Sequence, residues 1–221
     1  MTRLQKGGLI VSCQARADNP LHGPLFMAAM ARAAEDGGAA GLRANGAVDI
    51  AAIRSVSTLP LIGIDKVFLE GEEVYITPTL AAADRVMDAG AGIVALDCTD
   101  RPRRGDDWRL ILRHIADRGC QSFADISTLN EGLAAADAGA DHVATTLAGH
   151  TAATRGRGGP DLALVTALAT RLGVPVVAEG GLDTPELARA ALDAGAYAVV
   201  VGTMITNPRE ITRRFARRLR E

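Results

Sequence analysis

The segments Met87-Asp-Ala-Gly-Ala-Gly92, Ala136-Asp-Ala-Gly-Ala-Asp141 and Leu192-Asp-Ala-Gly-Ala-Tyr197 read almost alike, and each links an amphipathic stretch to a short apolar run. This is the pattern of a helix that ends just before a strand begins. The first glycine of each segment suits the left-handed position after a helix, because glycine has no Cβ to clash there. The repeat therefore predicts a regular succession of helices and strands, and it indicates architecture rather than a binding site.

The rest of the chain continues the same alternation, which is typical of parallel strands joined by crossover helices. We predict eight strands, at residues 9–12, 41–44, 61–64, 93–96, 122–125, 142–145, 176–178 and 198–201. Helices are predicted to begin near Pro24, Val48, Thr79, Asp107, Leu129, Asp161, Thr184 and Pro208. Several of these starts carry proline or an N-cap residue such as Asp or Thr, as helix starts often do.

Eight such units predict an α/β protein that forms a closed (β/α)8 TIM barrel, since an open flavodoxin-like sheet would show only about five or six. The chain has 221 residues, slightly fewer than a typical TIM barrel. That length leaves no room for a second domain of ordinary size, so we expect residues 1–221 to form a single barrel domain.

The composition argues against several classes of partner. The chain has 24 Lys and Arg residues against 26 Asp and Glu, so no global field favours nucleic acid or an anionic membrane. Its apolar runs are too short for a signal peptide or a membrane span. The three cysteines lack metal-binding spacing and fit a reducing compartment. We therefore expect a soluble cytoplasmic protein with no nucleic-acid, membrane or metal partner.

The carboxyl ends of the strands are where a TIM barrel builds its active site, so the residues after each apolar run are the candidates. Most of these residues are polar or charged, as expected where side chains converge on a ligand. They are Cys13 with Gln14, Arg43 with Asn45, Lys66, Asp97, Asp125, Thr145 with Thr146, Glu179 and Gly202.

Lys66 and Glu179 are the candidates for proton transfer. Lys66 is one of only two lysines and follows predicted strand 3, while Glu179 follows predicted strand 7. These strands lie on opposite sides of an eight-stranded barrel, so a molecule over the axis would have an amine on one flank and a carboxylate on the other. Inversion at carbon needs such a pair, because a proton leaves one face and returns to the other. The alternative is that Lys66 forms a salt bridge at the rim.

A lysine that acts as a base must have its pKa lowered, by burial or by a neighbouring cation such as Arg43.

Two loops that contain glycine predict a phosphate site nearby. Ala178-Glu-Gly-Gly-Leu-Asp-Thr184 follows strand 7, and Val201-Gly-Thr203 follows strand 8. Loops after these strands are the usual phosphate site of TIM barrels, because glycine lets backbone N–H groups approach an oxyanion. The alternative is that the glycines serve only tight turns.

Ten stretches, in order along nearly the whole chain, match the pattern of one enzyme family. They are GLIVSCQA (8–15), PLH (20–22), GGAAGLRANG (37–46), PLIGIDK (60–66), YITPT (75–79), ALDCT (95–99), ADIST (124–128), TTLAG (145–149), AEG (178–180) and GAYAVVVG (195–202). General phosphate-binding barrels share only the last two. On these residues the chain resembles the N-acetylmannosamine-6-phosphate 2-epimerases of bacterial sialic acid catabolism.

The resemblance implies an isomerase that interconverts N-acetylmannosamine 6-phosphate and N-acetylglucosamine 6-phosphate without a cofactor. The family's catalytic lysine and glutamate fall on Lys66 and Glu179, and its sugar-contacting residues fall on Gln14, Arg43 and Asp125. Once the sugar ring opens, the aldehyde at C1 acidifies the C2 proton, and a donor such as Arg43 would stabilise the enolate. Whether Lys66 and Glu179 serve opposite faces or cooperate on one face stays open.

The chain departs from the family pattern at the expected phosphate site. The resemblance places arginine where this chain has Gly181 or Asn207, and tyrosine where it has His150. We therefore expect the phosphate on backbone amides, with its countercharge from Arg209 or from an arginine of the loop after strand 6, Arg155 or Arg157. The amides are those of Gly180, Gly181, Gly202 and Thr203. The segment at 156–160 is expected to be mobile, with a lid as one interpretation.

Two other functions remain open from the sequence. A lone lysine at a strand end can attack a carbonyl, so a Schiff-base aldolase or lyase acting on a sugar phosphate is one alternative. A non-catalytic protein that binds a sugar phosphate is the other. In each case the partner is a small phosphorylated amino sugar or a related molecule. A homodimer is an expectation that the sequence does not decide.

Overall fold

The protein, for which we use a computed structural model, is described over residues 3–156 and 158–221. Its eight strands are all parallel and close into a barrel in chain order, with β8 pairing with β1. The strands are β1 Leu9–Cys13, β2 Gly41–Asn45, β3 Leu61–Ile64, β4 Ile93–Asp97, β5 Gln121–Asp125, β6 His142–Ala144, β7 Val176–Glu179 and β8 Ala198–Val201. The predicted TIM barrel is confirmed, and no predicted strand end is more than one residue from the observed one.

The helices follow the strands one by one, with one addition near the end of the chain. They are α1 Pro24–Asp36, α2 Ala47–Arg54, α3 Leu80–Asp88, α4 Trp108–Asp117, α5 Leu129–Asp137, α6 Leu162–Arg171, α7 Pro185–Asp193, α8 Thr203–Thr206 and α9 Pro208–Arg218. Side chains cap the predicted starts of α3, α4, α6 and α7 by accepting hydrogen bonds from backbone N–H groups: Thr79, Asp107, Asp161 and Thr184. Helix α8 was not predicted, because four residues are too few to give a periodic signal.

The three repeated segments end α3, α5 and α7 as their sequences predict. Gly90, Gly139 and Gly195 have φ angles of 102°, 93° and 105°, a region that favours glycine. Each turn brings the chain back to the base of the next strand, so the strands stay in register. The repeat therefore builds the scaffold and stands away from the carboxyl ends of the strands.

The core has two layers, one inside the barrel and one between the sheet and the helices. Along β3, Ile62 and Ile64 pack in the interior cluster, whereas Leu61 packs in the outer one, as the alternation of side chains along a strand requires. The apolar interior forms the floor on which the strand-end residues stand. Within the described part of the chain, no helix is both long enough and apolar enough to cross a membrane.

Candidate active site

A cavity of about 980 Å³ opens at the carboxyl ends of the strands, a size suited to a small ligand. Its lining contains nearly all of the predicted site residues: Gln14, Arg43, Lys66, Glu179, Gly180, Gly181, Gly202, Thr203 and Arg209. Asp125 is the exception, because it is fully buried below the lining. It nevertheless belongs to the same site through Arg43. The structure thus brings together site residues from the ends of six strands, β1, β2, β3, β5, β7 and β8. Of the other strand-end candidates, Thr146 also lines the cavity, whereas Asp97 is buried and pairs with Arg101.

Arg43, the central residue of β2, binds two carboxylates from the other side of the barrel. Its guanidinium forms a fork with Asp125, with 2.6 Å from Nη2 to Oδ2 and 3.1 Å from Nη1 to Oδ1. The same Nη1 donates to Glu179 Oε2 at 2.5 Å. Arg43 and Asp125 are 1% and 0% exposed, so these charges can be held out of water only because they are paired.

Thr145 and Thr146, at the end of β6, hold Glu179 from two sides. The Thr145 hydroxyl donates to the Glu179 carbonyl at 3.0 Å and accepts from the Glu179 N–H at 3.1 Å. The Thr146 hydroxyl lies 2.5 Å from Asp125 Oδ1 and 3.2 Å from Glu179 Oε2. The sequence identified both threonines only as strand-end residues and gave them no role. Their position after β6 could be predicted from the sequence, but their hydrogen bonds to Asp125 and Glu179 could not.

The Glu179 carboxyl has a pKa above its usual range. Burial is the main cause, because it disfavours the charged form, and the nearby charge of Asp125 adds to it. Arg43, the hydrogen bond from Thr146 and the charge of Lys66 act in the opposite direction but do not cancel the increase. Glu179 is therefore easier to protonate near neutral pH than an ordinary carboxylate.

Lys66 shows the opposite shift, and burial together with the positive charges of Arg43 and Arg16 lowers its pKa to about 8. The carboxylates of Glu179 and Asp125 oppose this shift. In the described part of the chain Lys66 forms no ion pair, so the alternative of a rim salt bridge does not apply. Burial and Arg43 are the two causes by which a lysine that acts as a base was expected to have its pKa lowered.

The backbone around Lys66 is held by neighbouring strands. Its N–H donates to Asn45 Oδ1 at 2.9 Å, and it pairs with Ile76 in an isolated antiparallel bridge. Thr77 is fully buried and has a φ of 45°, which is strained for a β-branched residue. Its hydroxyl accepts from the Asp65 N–H at 3.1 Å, and its own N–H donates to the Asp65 carbonyl at 2.9 Å. These contacts fix the chain on both sides of the amine-bearing residue.

Gln14, which follows β1, lines the cavity and carries an acceptor without a hydrogen-bond partner among the described residues. Its Nε2 donates to Ser12 Oγ at 2.9 Å, while its buried Oε1 has no hydrogen-bond partner among the described residues. A buried amide oxygen without a partner costs free energy, so a ligand that donates to it gains by doing so. This geometry fits the sugar-contacting role that the resemblance implied for Gln14.

The two glycine loops border the same cavity, as predicted. Gly180 and Gly181 have φ angles of 105° and 68°. A Cβ on Gly181 would lie 2.4 Å from the backbone carbon of Gly159, so glycine is required for the loop after β6 to pack against the loop after β7. That contact ties Gly159 to the site, but it does not test the predicted lid.

Arg209 and Arg16 are the arginines that border the cavity near these loops. Arg209 donates to the Asp18 carbonyl at 2.9 Å and to Asp18 Oδ2 at 3.1 Å. Its buried Nε lies 3.7 Å from Glu210 Oε1 and has no hydrogen-bond partner among the described residues. Arg16 is exposed and forms no ion pair within the described chain. Sequence reasoning missed Arg16, although it follows Gln14 by two residues. Arg155 is not part of the lining, and Arg157 lies outside the described residues.

The cavity thus combines an amine with a lowered pKa, a carboxyl with a raised pKa and a buried guanidinium. Such groups can remove and return a proton near pH 7 and stabilise a developing oxyanion. Among the described residues, no cluster of three or more His, Cys, Asp or Glu side chains has the arrangement of a metal site.

The family model described as "Putative N-acetylmannosamine-6-phosphate epimerase" matches residues 27–221. A Caldanaerobacter subterraneus protein described as "Putative N-acetylmannosamine-6-phosphate 2-epimerase" is 48% identical over 98% of this chain and 92% of its own length. A Clostridium perfringens protein with the same description is 44% identical over 97% of this chain and 98% of its own length.

Solved structures give the same result. The N-acetylmannosamine-6-phosphate 2-epimerase from Clostridium perfringens superposes with a TM-score of 0.94 and 43% identity, over 97% of this chain and 94% of that one. A thiamine phosphate pyrophosphorylase from Pyrococcus furiosus, with a TM-score of 0.64 and 17% identity over 95% and 91% of the two chains, shares the fold alone. Because the family model and these relatives match most of its length, this chain belongs to the N-acetylmannosamine-6-phosphate 2-epimerase family.

Proposed function

We propose that this protein is an isomerase that interconverts N-acetylmannosamine 6-phosphate and N-acetylglucosamine 6-phosphate by moving the proton on C2. In its family this reaction belongs to sialic acid catabolism. The observation that carries the proposal is that Lys66 and Glu179 line the same cavity from opposite sides of the barrel, and that the pKa of each is moved toward neutrality. Two groups of this kind can exchange a carbon-bound proton in both directions.

We assign the transfer of the C2 proton to Lys66 and Glu179. Lys66 follows β3 and Glu179 ends β7, and these strands are four apart in the closed barrel. A sugar held over the axis would present one face of C2 toward each. The reaction requires the open-chain aldehyde, because its carbonyl acidifies the C2 proton. Arg43 supplies fixed positive charge near the carbonyl oxygen as the enolate forms.

The remaining polar groups are assigned to binding. Gln14 Oε1 is the acceptor for a sugar hydroxyl or for the N-acetyl N–H group. The backbone amides of Gly180, Gly181, Gly202 and Thr203 are assigned to the 6-phosphate, because loops after strands 7 and 8 bind phosphate in many TIM barrels. Arg209 and Arg16 supply countercharge. This assignment replaces the basic side chain that Gly181 cannot provide.

Proton NMR in D2O tests the function directly. N-acetylmannosamine 6-phosphate incubated with the protein should lose its C2 proton signal as deuterium enters, while the signals of N-acetylglucosamine 6-phosphate appear. The free sugar, at the same concentration, should react far more slowly. Conversion of neither compound would overturn the proposed function.

A Schiff-base lyase is the second candidate, and the lowered pKa of Lys66 is the observation that favours it. A neutral amine near an open-chain aldehyde can attack the carbonyl carbon. Borohydride would then reduce the imine and attach the sugar to Lys66 irreversibly. The epimerase proposal predicts no such adduct and an intact carbon chain after complete reaction.

A further inference from the structure

Thr146 makes contacts that the proposed roles of Lys66 and Glu179 do not use. Its hydroxyl bridges Asp125 Oδ1, at 2.5 Å, and Glu179 Oε2, at 3.2 Å. These are the same two oxygens that Arg43 Nη1 contacts, at 3.1 and 2.5 Å. The two carboxylates are therefore joined twice, once through a guanidinium that keeps its protons and once through a hydroxyl that can rotate.

The hydroxyl of a threonine has one hydrogen, so it can donate fully to only one of two acceptors. When both carboxylates are ionised, that hydrogen offsets charge on either of them. When Glu179 takes up a proton it becomes the weaker acceptor, and the hydrogen then favours Asp125. Asp125 is fully buried and stays paired with Arg43 in both situations. No bond to hydrogen breaks at Thr146; its hydroxyl only turns.

The contacts also distinguish the two oxygens of Glu179. Oε2 is taken by Arg43 and Thr146, and a proton placed on Oε2 would face the N–H of Arg43. Oε1 is left for the cavity, which Glu179 helps to line. The proton that leaves the substrate must therefore arrive on Oε1. Rotation of the carboxyl about its Cγ–Cδ bond would exchange the positions of Oε1 and Oε2. The contacts of Oε2 with Thr146 and Arg43 oppose that rotation.

We propose that Thr146 is a positioning residue of the reaction: its hydroxyl, shared between Asp125 and Glu179, turns with each protonation of Glu179 and keeps Oε1 directed at the substrate. This inference rests on the proposed role of Glu179 in proton transfer. Thr146 itself touches neither C2 nor the phosphate in this account. Its effect should therefore appear in the rate of proton transfer and in the titration of Glu179.

Charged groups face Glu179 from three elements: Arg43 of β2, Asp125 of β5 and Lys66 beyond β3. Replacing Thr146 alters none of these charges. Thr146→Val keeps the shape of the side chain and removes the hydroxyl, so it should make Glu179 harder to ionise. Thr146→Ser keeps the hydroxyl. Thr151→Val is the matched control, because its buried hydroxyl lies in the same loop but bonds Ser127 and Thr154.

The experiment measures kcat and KM from pH 5 to 10, together with the melting temperature of each variant. Thr146→Val should move the acidic limb of the kcat profile up by about one pH unit and lower kcat roughly 10-fold, with little change in KM. Thr146→Ser should restore the profile, and Thr151→Val should keep it unchanged whatever its melting temperature. Thr146→Ala serves as the second variant without a hydroxyl if the valine variant does not fold.

Glu179→Gln is measured in parallel, so that failure of the proposed function and failure of this inference can be told apart. Full activity in Glu179→Gln would overturn the role of Glu179 itself. An inactive Glu179→Gln beside a folded Thr146→Val or Thr146→Ala with the wild-type profile would overturn only the role of Thr146. A lower melting temperature with an unmoved acidic limb would do the same, since it would leave Thr146 a structural role alone.

Discussion

Arg43 Nη1 lies 2.5 Å from Glu179 Oε2 while its guanidinium also forms the fork with the buried Asp125. One cation therefore serves two carboxylates, one that is fully buried and one that borders the cavity. The guanidinium makes two contacts with Asp125 and one with Glu179. The pKa of Glu179 can then stay above its usual range even though a guanidinium touches it.

Arg43→Met should lower the free energy of unfolding by about 3–5 kcal/mol, because it leaves Asp125 buried without its partner. Urea unfolding at pH 7 measures the loss. Arg85→Met is the control, since its ion pair with Asp65 has a similar length of 2.6 Å but Arg85 is half exposed. Such a surface pair contributes about 0–1 kcal/mol. Equal losses in the two variants would contradict this account of the cluster.

Lys66→Met should abolish turnover and yet raise the free energy of unfolding at pH 7, by up to about 3 kcal/mol. The fold lowers the pKa of Lys66 from 10.5 to about 8, so the folded state disfavours the charged amine. Below pH 8 both states are protonated and the full cost is present. Between pH 8 and 10.5 the folded state releases the proton, so the advantage of the variant should fall away.

The control for this stability measurement is Lys6→Met, because Lys6 is exposed and is the only other lysine. Its unfolding free energy should change by no more than about 0.5 kcal/mol at any pH. A Lys66→Met variant that is less stable than the wild type at pH 7 would show that the folded protein stabilises the charged amine, contrary to this account.

The pH profile of turnover should be bell-shaped, because the pair needs one proton between its two members. Its alkaline limb should fall near pH 8, where Lys66 titrates, and its acidic limb should lie above the usual carboxyl range because the pKa of Glu179 is raised. The measurement uses kcat, since the substrate phosphate itself titrates near pH 6 and distorts kcat/KM. An alkaline limb near pH 10 would mean that Lys66 is unperturbed or unused.

Arg209→Ala and Arg16→Ala should each raise KM for the 6-phosphate sugar several-fold and leave kcat nearly unchanged, because they remove charge from binding and not from the reacting carbon. Arg189→Ala on α7, an exposed arginine away from the cavity, is the control and should keep the wild-type KM. Unchanged KM in both site variants would assign the phosphate to backbone amides alone.

The strand ends could be predicted because the signals are local. Lys66 and Glu179 each follow an apolar run, and eight such runs determine which ends lie opposite each other. The contacts of Thr146 could not be predicted, because they depend on how side chains from β2, β5, β6 and β7 turn toward each other inside the barrel. The φ of 45° at Thr77 could not be predicted either, because hydrogen bonds to Asp65 impose this angle on a β-branched residue that disfavours it.

The most direct test of the central claim follows the C2 proton of N-acetylmannosamine 6-phosphate by NMR in D2O with Lys66→Ala and Glu179→Gln, beside Lys6→Ala as the control. Both site variants should lower epimerisation by at least about 100-fold, as the loss of a general base or acid does. With one residue serving each face, Glu179→Gln should still exchange the proton of one epimer without forming the other. Turnover close to that of the wild type in either variant would contradict the assignment of the proton to Lys66 and Glu179.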